Sequence, residues 1–170
     1  MKFNFCPTCK SDLAIGKEDY VACVNEECSF VHYENPTPVV AAVIEYKDGN
    51  VLLAHNSAWP PKIFALVTGF LEKHEHPEIA VLREVKEEVG LDAEIRGFLG
   101  HYSFKKMNQI IMAYHVYSDG EVELNDPEID EVKVVPFENV KTWDAGTGHA
   151  LKKFLESKGY SPEVISFGKK

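Results

Sequence analysis

Three glutamates in the middle of the chain, Glu84, Glu87 and Glu88, have the spacing of side chains that share one face of a helix. Like charges three and four positions apart destabilise a helix by roughly 0.2–0.5 kcal/mol per pair. A divalent cation lying over the carboxylates would explain the pattern, because Mg²⁺ and Mn²⁺ prefer oxygen ligands and also bind phosphates. The alternative is a surface helix with a solvated acidic face. Both interpretations require a helix at this point of the chain.

The sequence predicts that helix over Pro77–Val89. Pro77 suits the first helical position, and Gly90 suits the position just after the end. The apolar residues predict a core-facing stripe opposite the glutamates, with Ala80 on the acidic side. That stripe consists of Ile79, Leu82, Val85 and Val89.

All four cysteines of the chain lie near its N-terminus, as Cys6-x2-Cys9 and, thirteen residues later, Cys23-x4-Cys28. Two close pairs with a short spacer predict a structural Zn²⁺ site with four thiolate ligands. Metal binding would supply the folding free energy of a ribbon too short to bury a core. The alternatives are two disulfides, which a cytosolic chain disfavours, or a redox pair, which would need a βαβ pattern. His32 is a further candidate ligand, although four cysteines already complete a tetrahedron.

Composition restricts the class of partner. The chain has 170 residues, 45% of them hydrophobic, which suffices for one full domain and a small appendage. The formal charge of −9 argues against broad affinity for nucleic acid or anionic membrane. No apolar run approaches the roughly 18 residues of a membrane span, so no membrane partner is expected. The first residues lack the apolar region of a signal peptide, and cytoplasmic localisation is the expectation.

The order of predicted elements indicates an α/β domain after the cysteine segment. The proline-containing link 33–38 separates a ribbon, residues 1–34, from a main domain, residues 35–160, and a surface tail follows over 161–170. Asp48-Gly49 predicts a hairpin turn between the first two strands of the main domain. The predicted strands cover 39–46, 51–54, 63–68, 92–99, 109–117 and, as the last strand, 132–137, and a second amphipathic helix covers 148–158.

The connection 100–108 carries groups that could contact a nucleotide. Tyr102 and Phe104 offer rings for stacking, two lysines offer charge for phosphate, and Asn108 offers an amide edge for a base. The alternative is an ordinary hairpin connection without a role in binding.

The stretch from Gly69 to Leu91 resembles a Nudix box, G-x5-E-x7-R-E-U-x-E-E-x-G-U with U aliphatic, and a chance match would be on the order of one in a million. No fixed position departs from the pattern. The fixed positions are Gly69, Glu75, Arg83, Glu84, Val85, Glu87, Glu88, Gly90 and Leu91.

This resemblance implies an α/β/α sandwich with a mixed sheet, here preceded by the Cys₄ zinc ribbon. It also implies Mg²⁺- or Mn²⁺-dependent hydrolysis of a nucleoside diphosphate linked to another group. In that picture the three helix glutamates ligate the catalytic metal, and the Gly69 carbonyl is a further candidate ligand. Arg83 would orient the glutamates through charge-assisted hydrogen bonds, and Glu75 would support the loop.

Which carboxylate acts as the general base differs between members of the family, and the box alone leaves this open. Glu128-Ile129-Asp130-Glu131 resembles the start of the E-x-x-E-A-x-W segment of related enzymes. Glu131 is therefore the first downstream candidate for base or metal ligand, and Glu128 is the second. The segment departs from the pattern at Val132 and Val134. The alternative is a solvated acidic loop.

The order of Cys₄ ribbon, proline-containing link and box resembles the NADH pyrophosphatase branch of the family, as does Phe70 after the first glycine of the box. This makes Phe70 a candidate substrate contact. The chain departs from the S-Q-P-W-P-F-P-x-S motif of that branch, so NADH, ADP-ribose, nucleotide sugars and dinucleoside polyphosphates all remain open as small-molecule substrates. Capped RNA ends are the one nucleic-acid substrate considered, and a homodimer is expected from relatives. The alternative to an enzyme is a binding module that senses a nucleotide or uses its ribbon for contacts.

Overall fold

A computed structural model describes residues 3–15 and 20–166. The chain divides into two compact units, Met1–Pro36 and Thr37–Lys170. No helix within the described residues is both long and apolar enough to cross a membrane. Residues 1–2 and 16–19 of the predicted ribbon lie outside the described residues, as does the end of the predicted tail at 167–170.

The first unit is a small antiparallel sheet built around the cysteines. Its strands are β1 (Leu13–Ile15), β2 (Val21–Cys23) and β3 (Val31–His32), in the order β1-β2-β3. With so few apolar residues, strands of two or three residues gain little from packing alone. A constraint at the cysteines is therefore needed to hold them.

The second unit is organised around one long, largely apolar strand, β4. Its Val39–Tyr46 portion is buried, because a helix lies on each face of the sheet. β4 pairs in parallel with β8 and in antiparallel fashion with β5 and β6, so the predicted mixed sheet is confirmed. The sheet runs in the order β7-β8-β4-β5-β9. Its strands are β4 (Thr37–Tyr46), β5 (Asn50–Asn56), β6 (Val67–Phe70), β7 (Glu94–Phe104), β8 (Gln109–Ser118) and β9 (Ile129–Pro136).

Two helices cover the sheet and complete the α/β/α sandwich that was predicted. Helix α1 (Pro77–Val89) has the predicted bounds, with Pro77 at its start and Gly90 in the left-handed conformation after its end. Helix α2 (Gly148–Ser157) ends one residue before the predicted bound. Its predicted inward residues are all buried: Ala150, Leu151, Phe154 and Leu155.

The predicted inward stripe of α1 is partly wrong. Ile79 is 63% exposed, whereas Ala80 and Val81 are buried. The buried face is therefore rotated toward the side that carries Glu84 and Glu88, because residues four apart differ by only about 40° around a helix. The glutamates flank the buried stripe and do not lie opposite it.

The later part of the chain also differs from the prediction. Residues 100–104 belong to β7, and only a short 3₁₀ turn at Lys105–Met107 connects it to β8. The strand β9 is not the last one, because β10 (Thr142–Trp143) pairs in parallel with β11 (Val164–Ile165). The segment after Gly159, predicted as a surface extension, thus adds a strand to the second unit, and the ring of Tyr160 packs edge-on against Phe137.

Candidate functional site

The candidate metal site begins where β6 meets α1. β6 pairs with the first half of β4, which places Gly69 opposite Val40 in the centre of the sheet. Helix α1 packs over this point and brings Glu84 beside it. A β-carbon added at Gly69 would overlap the carboxyl carbon and both carboxyl oxygens of Glu84. A side chain at residue 69 would therefore displace the Glu84 carboxylate, which lies directly against the glycine.

Arg83 connects the loop before α1 to the glutamates on it. Its Nε and Nη2 atoms donate to the two carboxyl oxygens of Glu75, over 2.8 and 2.9 Å. Its Nη1 atom donates to Glu84 Oε1 over 2.7 Å and to Glu87 Oε2 over 2.9 Å. Hydrogen bonds from Arg83 lower the pKa of Glu75 to about 2, so this carboxylate is firmly ionised. These contacts are the ones that an orienting role for Arg83 would use, and the role itself stays a prediction.

Glu88 lies in a different electrostatic setting from Glu75. Burial, together with the charges of Glu84, Asp126, Glu128 and Glu87, raises the pKa of Glu88 to about 8. Within the part of the chain that the structure describes, no ion pair includes this carboxyl. A half-buried carboxyl surrounded by like charges is costly by itself, and a divalent cation would remove that cost. The donor set therefore fits Mg²⁺ or Mn²⁺.

The three predicted helix ligands are not gathered around one point. Over residues 3–15 and 20–166, the four cysteines form the only set of His, Cys, Asp or Glu ligand atoms that all lie within 4.8 Å of one another. Two of the three glutamates are instead drawn to Arg83, which offsets their charge. Burial raises the pKa of Glu84 as well.

Two carboxylates of the acidic segment between β8 and β9 influence Glu88 on α1. One, Glu128, was the second downstream candidate of the sequence analysis, and the other, Asp126, was not predicted. Asp126 and Glu128 both act on the charge of Glu88, whereas Glu131 lies in β9 opposite His55 of β5. A β-bulge between His55 and Asn56 shifts this register, and neither hydrophobicity nor spacing reveals a bulge. Asp126 follows Asn125 in a polar stretch, and the sequence offers no signal that distinguishes it from its neighbours.

A cavity of about 470 Å³ opens on the α2 side of the sheet, the face opposite the one that α1 covers. Thr68, the residue before Gly69, lines it, and four of the lining residues are aromatic. Large planar apolar walls with a few polar groups are typical of sites for nucleobases and similar rings. The aromatic residues of the wall are Trp59, Phe64, Phe104 and Trp143.

The four predicted substrate contacts are divided between different places. Phe104 lines the cavity, and Phe70 is 58% exposed at the end of β6, where its carbonyl accepts from Arg83 Nη2 over 3.3 Å. Tyr102 packs on the core, with its hydroxyl donating to the Leu99 carbonyl over 3.1 Å. Asn108 ends the 3₁₀ turn in the left-handed conformation, and its neighbour Gln109 lines the cavity.

Sequence analysis missed most of the cavity wall. Trp59 lies in a proline-rich loop, and Trp143 lies just before α2, far apart in the chain. The one signal for them was the presence of two tryptophans outside any amphipathic pattern.

The cysteines of the first unit are reduced and clustered as a tetrahedral site requires. The Sγ atoms of Cys6 and Cys28 lie 3.7 Å apart, and those of Cys9 and Cys23 lie 3.4 Å apart. Four sulfurs on one zinc ion at 2.3 Å would lie about 3.8 Å apart, whereas a disulfide needs about 2.05 Å. Hydrogen bonding with Ser11 lowers the pKa of Cys9 to about 6, whereas burial raises the pKa of Cys23 to about 12, so the thiols of the cluster differ in how readily they ionise. The four cysteines can therefore hold a metal ion.

Comparison of the sequence with models of known families identifies the domain that carries the site. The model of the NUDIX domain matches residues 35–155. The chain belongs to the NUDIX family. This confirms the resemblance based on the box and agrees with the sandwich described above.

The curated relatives of this NUDIX protein include enzymes named NAD-capped RNA hydrolase NudC. The one from Mycobacterium tuberculosis is 32% identical over 104 residues, which are 59% of this chain and 33% of the relative. The one from Stutzerimonas stutzeri is 26% identical over 139 residues, which are 81% of this chain and 49% of the relative. The chain thus spans a third to a half of the length of these relatives.

Solved structures agree on the fold. A NUDIX hydrolase from Nitrosomonas europaea superposes with a TM-score of 0.71 at 24% identity, covering 97% of this chain and 100% of that one. An ADP-ribose pyrophosphatase from Streptococcus suis superposes with a TM-score of 0.61 at 17% identity, covering 77% of this chain and 100% of that one. At these identities the likeness extends to the fold alone.

Proposed function

We propose that this NUDIX protein hydrolyses the diphosphate bond of a nucleoside diphosphate linked to another group, with Mg²⁺ or Mn²⁺ as the catalytic metal. The observation that carries the proposal is the setting of Glu88. Its half-buried carboxyl lies among other carboxyls, and no described cation balances it. Such an arrangement costs stability unless a cation binds there.

The residues around Glu88 are proposed to have different roles in metal binding and positioning. Glu84, Glu87 and Glu88 would hold the metal, with the Gly69 carbonyl and Glu131 as further candidate ligands. A bound divalent cation would neutralise the diphosphate and make a coordinated water more acidic. Arg83 positions two of the glutamates through hydrogen bonds of 2.7 and 2.9 Å.

The general base must be a carboxylate close to the attacking water. The negative charge of Glu128 helps to raise the pKa of Glu88, which supports Glu128 as a candidate base, while Glu131 lies opposite His55 in β9. Glu84, Glu87 and Glu88 remain candidates for the base as well.

The aromatic cavity supports a nucleotide as substrate. Its 470 Å³ are enough for a nucleoside, and Thr68 places its edge one residue from Gly69. Phe104 contributes to the wall, and Phe70 is exposed at the entrance to the metal site.

The names of relatives suggest two kinds of substrate. One group is named for NAD-capped RNA, and a structural neighbour is named for ADP-ribose. A chain with a formal charge of −9 has no basic surplus for a long RNA. We therefore propose a small nucleotide such as NADH or ADP-ribose as the main substrate, and a capped RNA end as the alternative.

The ion in the ribbon is proposed to be Zn²⁺, because four thiolates suit this borderline-soft ion. Its role would be structural, since four protein ligands leave no open coordination position.

A substrate panel with Mg²⁺ and with Mn²⁺ tests the proposal. The panel holds NADH, NAD⁺, ADP-ribose, nucleotide sugars, diadenosine polyphosphates and a short NAD-capped RNA, with products identified by mass. We expect cleavage of at least one small nucleotide at its diphosphate bond, dependent on the metal. Preference for the capped RNA would select the alternative substrate. Binding of nucleotides without any cleavage would contradict the proposal and favour a nucleotide-sensing module.

A further inference from the structure

A buried histidine outside the proposed catalytic set connects two loops. His55, at the end of β5, is 7% exposed, and its ring packs against Phe64 at a centroid distance of 5.6 Å. Its Nδ1 atom lies 2.5 Å from Asp130 Oδ1, and its Nε2 atom lies 3.3 Å from the carbonyl oxygen of Pro60. Both partners are hydrogen-bond acceptors, so the ring acts as the donor between them.

The loop held by this ring forms one wall of the aromatic cavity. Residues 56–64 connect β5 to the segment before β6, and four of them line the cavity. The amide of Trp59 donates to the Asn56 carbonyl over 2.8 Å at one end of the loop. Paired bonds of 2.9 Å join Ala54 to Ala65 at the other end. The lining residues of the loop are Trp59, Pro60, Ile63 and Phe64.

The centre of that loop would otherwise be weakly held. The Pro60 carbonyl also accepts from the amide of Ile63, but over a long 3.4 Å. Pro60 itself has no N–H to donate. The contact to His55 therefore ties the middle of the cavity wall to the sheet.

The same loop contacts the acidic segment that approaches α1. The amide of Ser57 donates to the Glu128 carbonyl over 2.8 Å, and its hydroxyl donates to the Pro127 carbonyl over 3.1 Å. Together with the bond from His55 to Asp130, these contacts join the cavity wall to the backbone that carries Glu128.

We propose that His55 and Asp130 are positioning residues that fix the Trp59–Phe64 wall of the nucleotide cavity and set its specificity. The identity of the ligand in this proposal rests on the proposed function. The position of the cavity wall does not depend on that function. His55 touches neither the substrate nor the reacting atoms. Its loss should weaken binding of the nucleoside and leave the chemical step almost unchanged.

The position of the wall is tested first, without any ligand, by NMR of the two indole N–H groups. His55→Asn should shift the resonance of Trp59 and leave that of Trp143, which lies outside the loop 56–64, in place. Asp130→Asn, at a side chain that is 52% exposed, should produce a similar shift with little risk to folding. A resonance of Trp59 that does not move in either variant would overturn the proposal.

The effect on the ligand is tested with AMP binding and ADP-ribose hydrolysis. His55→Asn should raise the Kd of AMP and the KM of ADP-ribose about tenfold, with kcat within about twofold. The double variant with Asp130→Asn should be no worse than the single one, because the two residues act as a unit. His101→Asn, at an exposed ring that contacts Phe98, is the matched control and should match the wild type.

The outcomes separate the two proposals. A lower kcat with unchanged Kd and KM, or additive effects of the two substitutions, would overturn the positioning role. A wild-type protein that neither binds AMP nor cleaves any nucleotide of the panel would count against the proposed function. The NMR result would still decide whether His55 holds the wall.

Discussion

Arg83 holds three carboxylates at once, and this determines which of them are available to a metal. Glu75 takes two of its hydrogen bonds, while Glu84 and Glu87 each take one. Only Glu88 is left without a cation among the box glutamates of the described chain. The sequence motif alone treats the three helix glutamates alike, whereas the structure distinguishes them by burial and by access to Arg83.

The Glu75–Arg83 pair makes stability depend on pH. The folded pKa of Glu75 is about 2, below its ordinary value of 4.5, so its contribution is fully present above pH 4.5 and is lost as the pH falls toward 2. We expect Glu75→Gln to lower the Tm at pH 6 and to have a shrinking effect between pH 4.5 and pH 2. Thermal unfolding at a series of pH values measures this. A Tm difference that stays constant down to pH 2 would contradict the assignment.

At the residue scale, sequence reasoning succeeded where a motif fixes the spacing of the residues. It failed where the three-dimensional fold decides which residues meet. Arg83 and the box glutamates were predicted in their places along the helix. Tyr102 was predicted as a substrate contact but packs on the core, because residues 100–104 continue β7. The approach of Asp126 to Glu88 depends on where a loop returns to the sheet, which no local pattern encodes.

At the scale of elements, the contact between β6 and α1 is the main structural condition for the site. It depends on the absence of a side chain at Gly69, where the Glu84 carboxylate fills the space. The bounds of α1 could be predicted, because a proline and a left-handed glycine mark its ends. The direction of its buried face could not be predicted fully, because glutamates that serve a site lie beside the core and distort the usual pattern of apolar and polar faces.

Gly69→Ala tests this contact. The added methyl group would push the Glu84 carboxylate away from Arg83, and a displacement of about 1 Å near reacting groups can lower turnover about a hundredfold. We expect such a loss in kcat with a folded protein by circular dichroism. Gly97→Ala is the control, since no atom lies within 4 Å of a β-carbon added there. Equal activity of both variants would show that the contact does not matter.

Short strands show the limit of element prediction. β10 and β11 have two residues each, fewer than any periodic pattern needs, and they pair only because the chain after α2 returns to this place. The long central strand and α2 were predictable, because each contains a strong apolar pattern that burial on the sheet requires.

At the scale of the molecule, the chain combines a unit with a hydrophobic core and a unit without one. The second unit has buried clusters on both faces of its sheet, whereas Cys6 is the only residue of the described part of the first unit that is fully buried. The cysteine spacing predicted this division. We therefore expect a metal ion held by the four cysteines to supply most of the stability of the first unit.

Removal of the metal should affect the two units differently. After treatment with a strong zinc chelator, we expect amides of residues 20–34 to lose protection from hydrogen exchange, while β4 and β8 stay protected. Metal analysis of the untreated protein should give about one zinc per chain. Cys9→Ser should reproduce the loss without a chelator. Persistent protection of residues 20–34 in the zinc-free protein would contradict a structural role.

The most direct test of the central claim is the turnover of Glu88→Gln on the best panel substrate at saturating Mg²⁺ or Mn²⁺. Glutamine keeps the size of the side chain but removes the charge that would hold the metal. We predict a fall in kcat of at least about a hundredfold with an unchanged or higher Tm, since a half-buried carboxyl among like charges is replaced by a neutral group. Glu94→Gln, at the exposed start of β7, should keep wild-type turnover. Wild-type turnover in Glu88→Gln would contradict the account, because catalysis would then not depend on the carboxyl that the structure leaves for the metal.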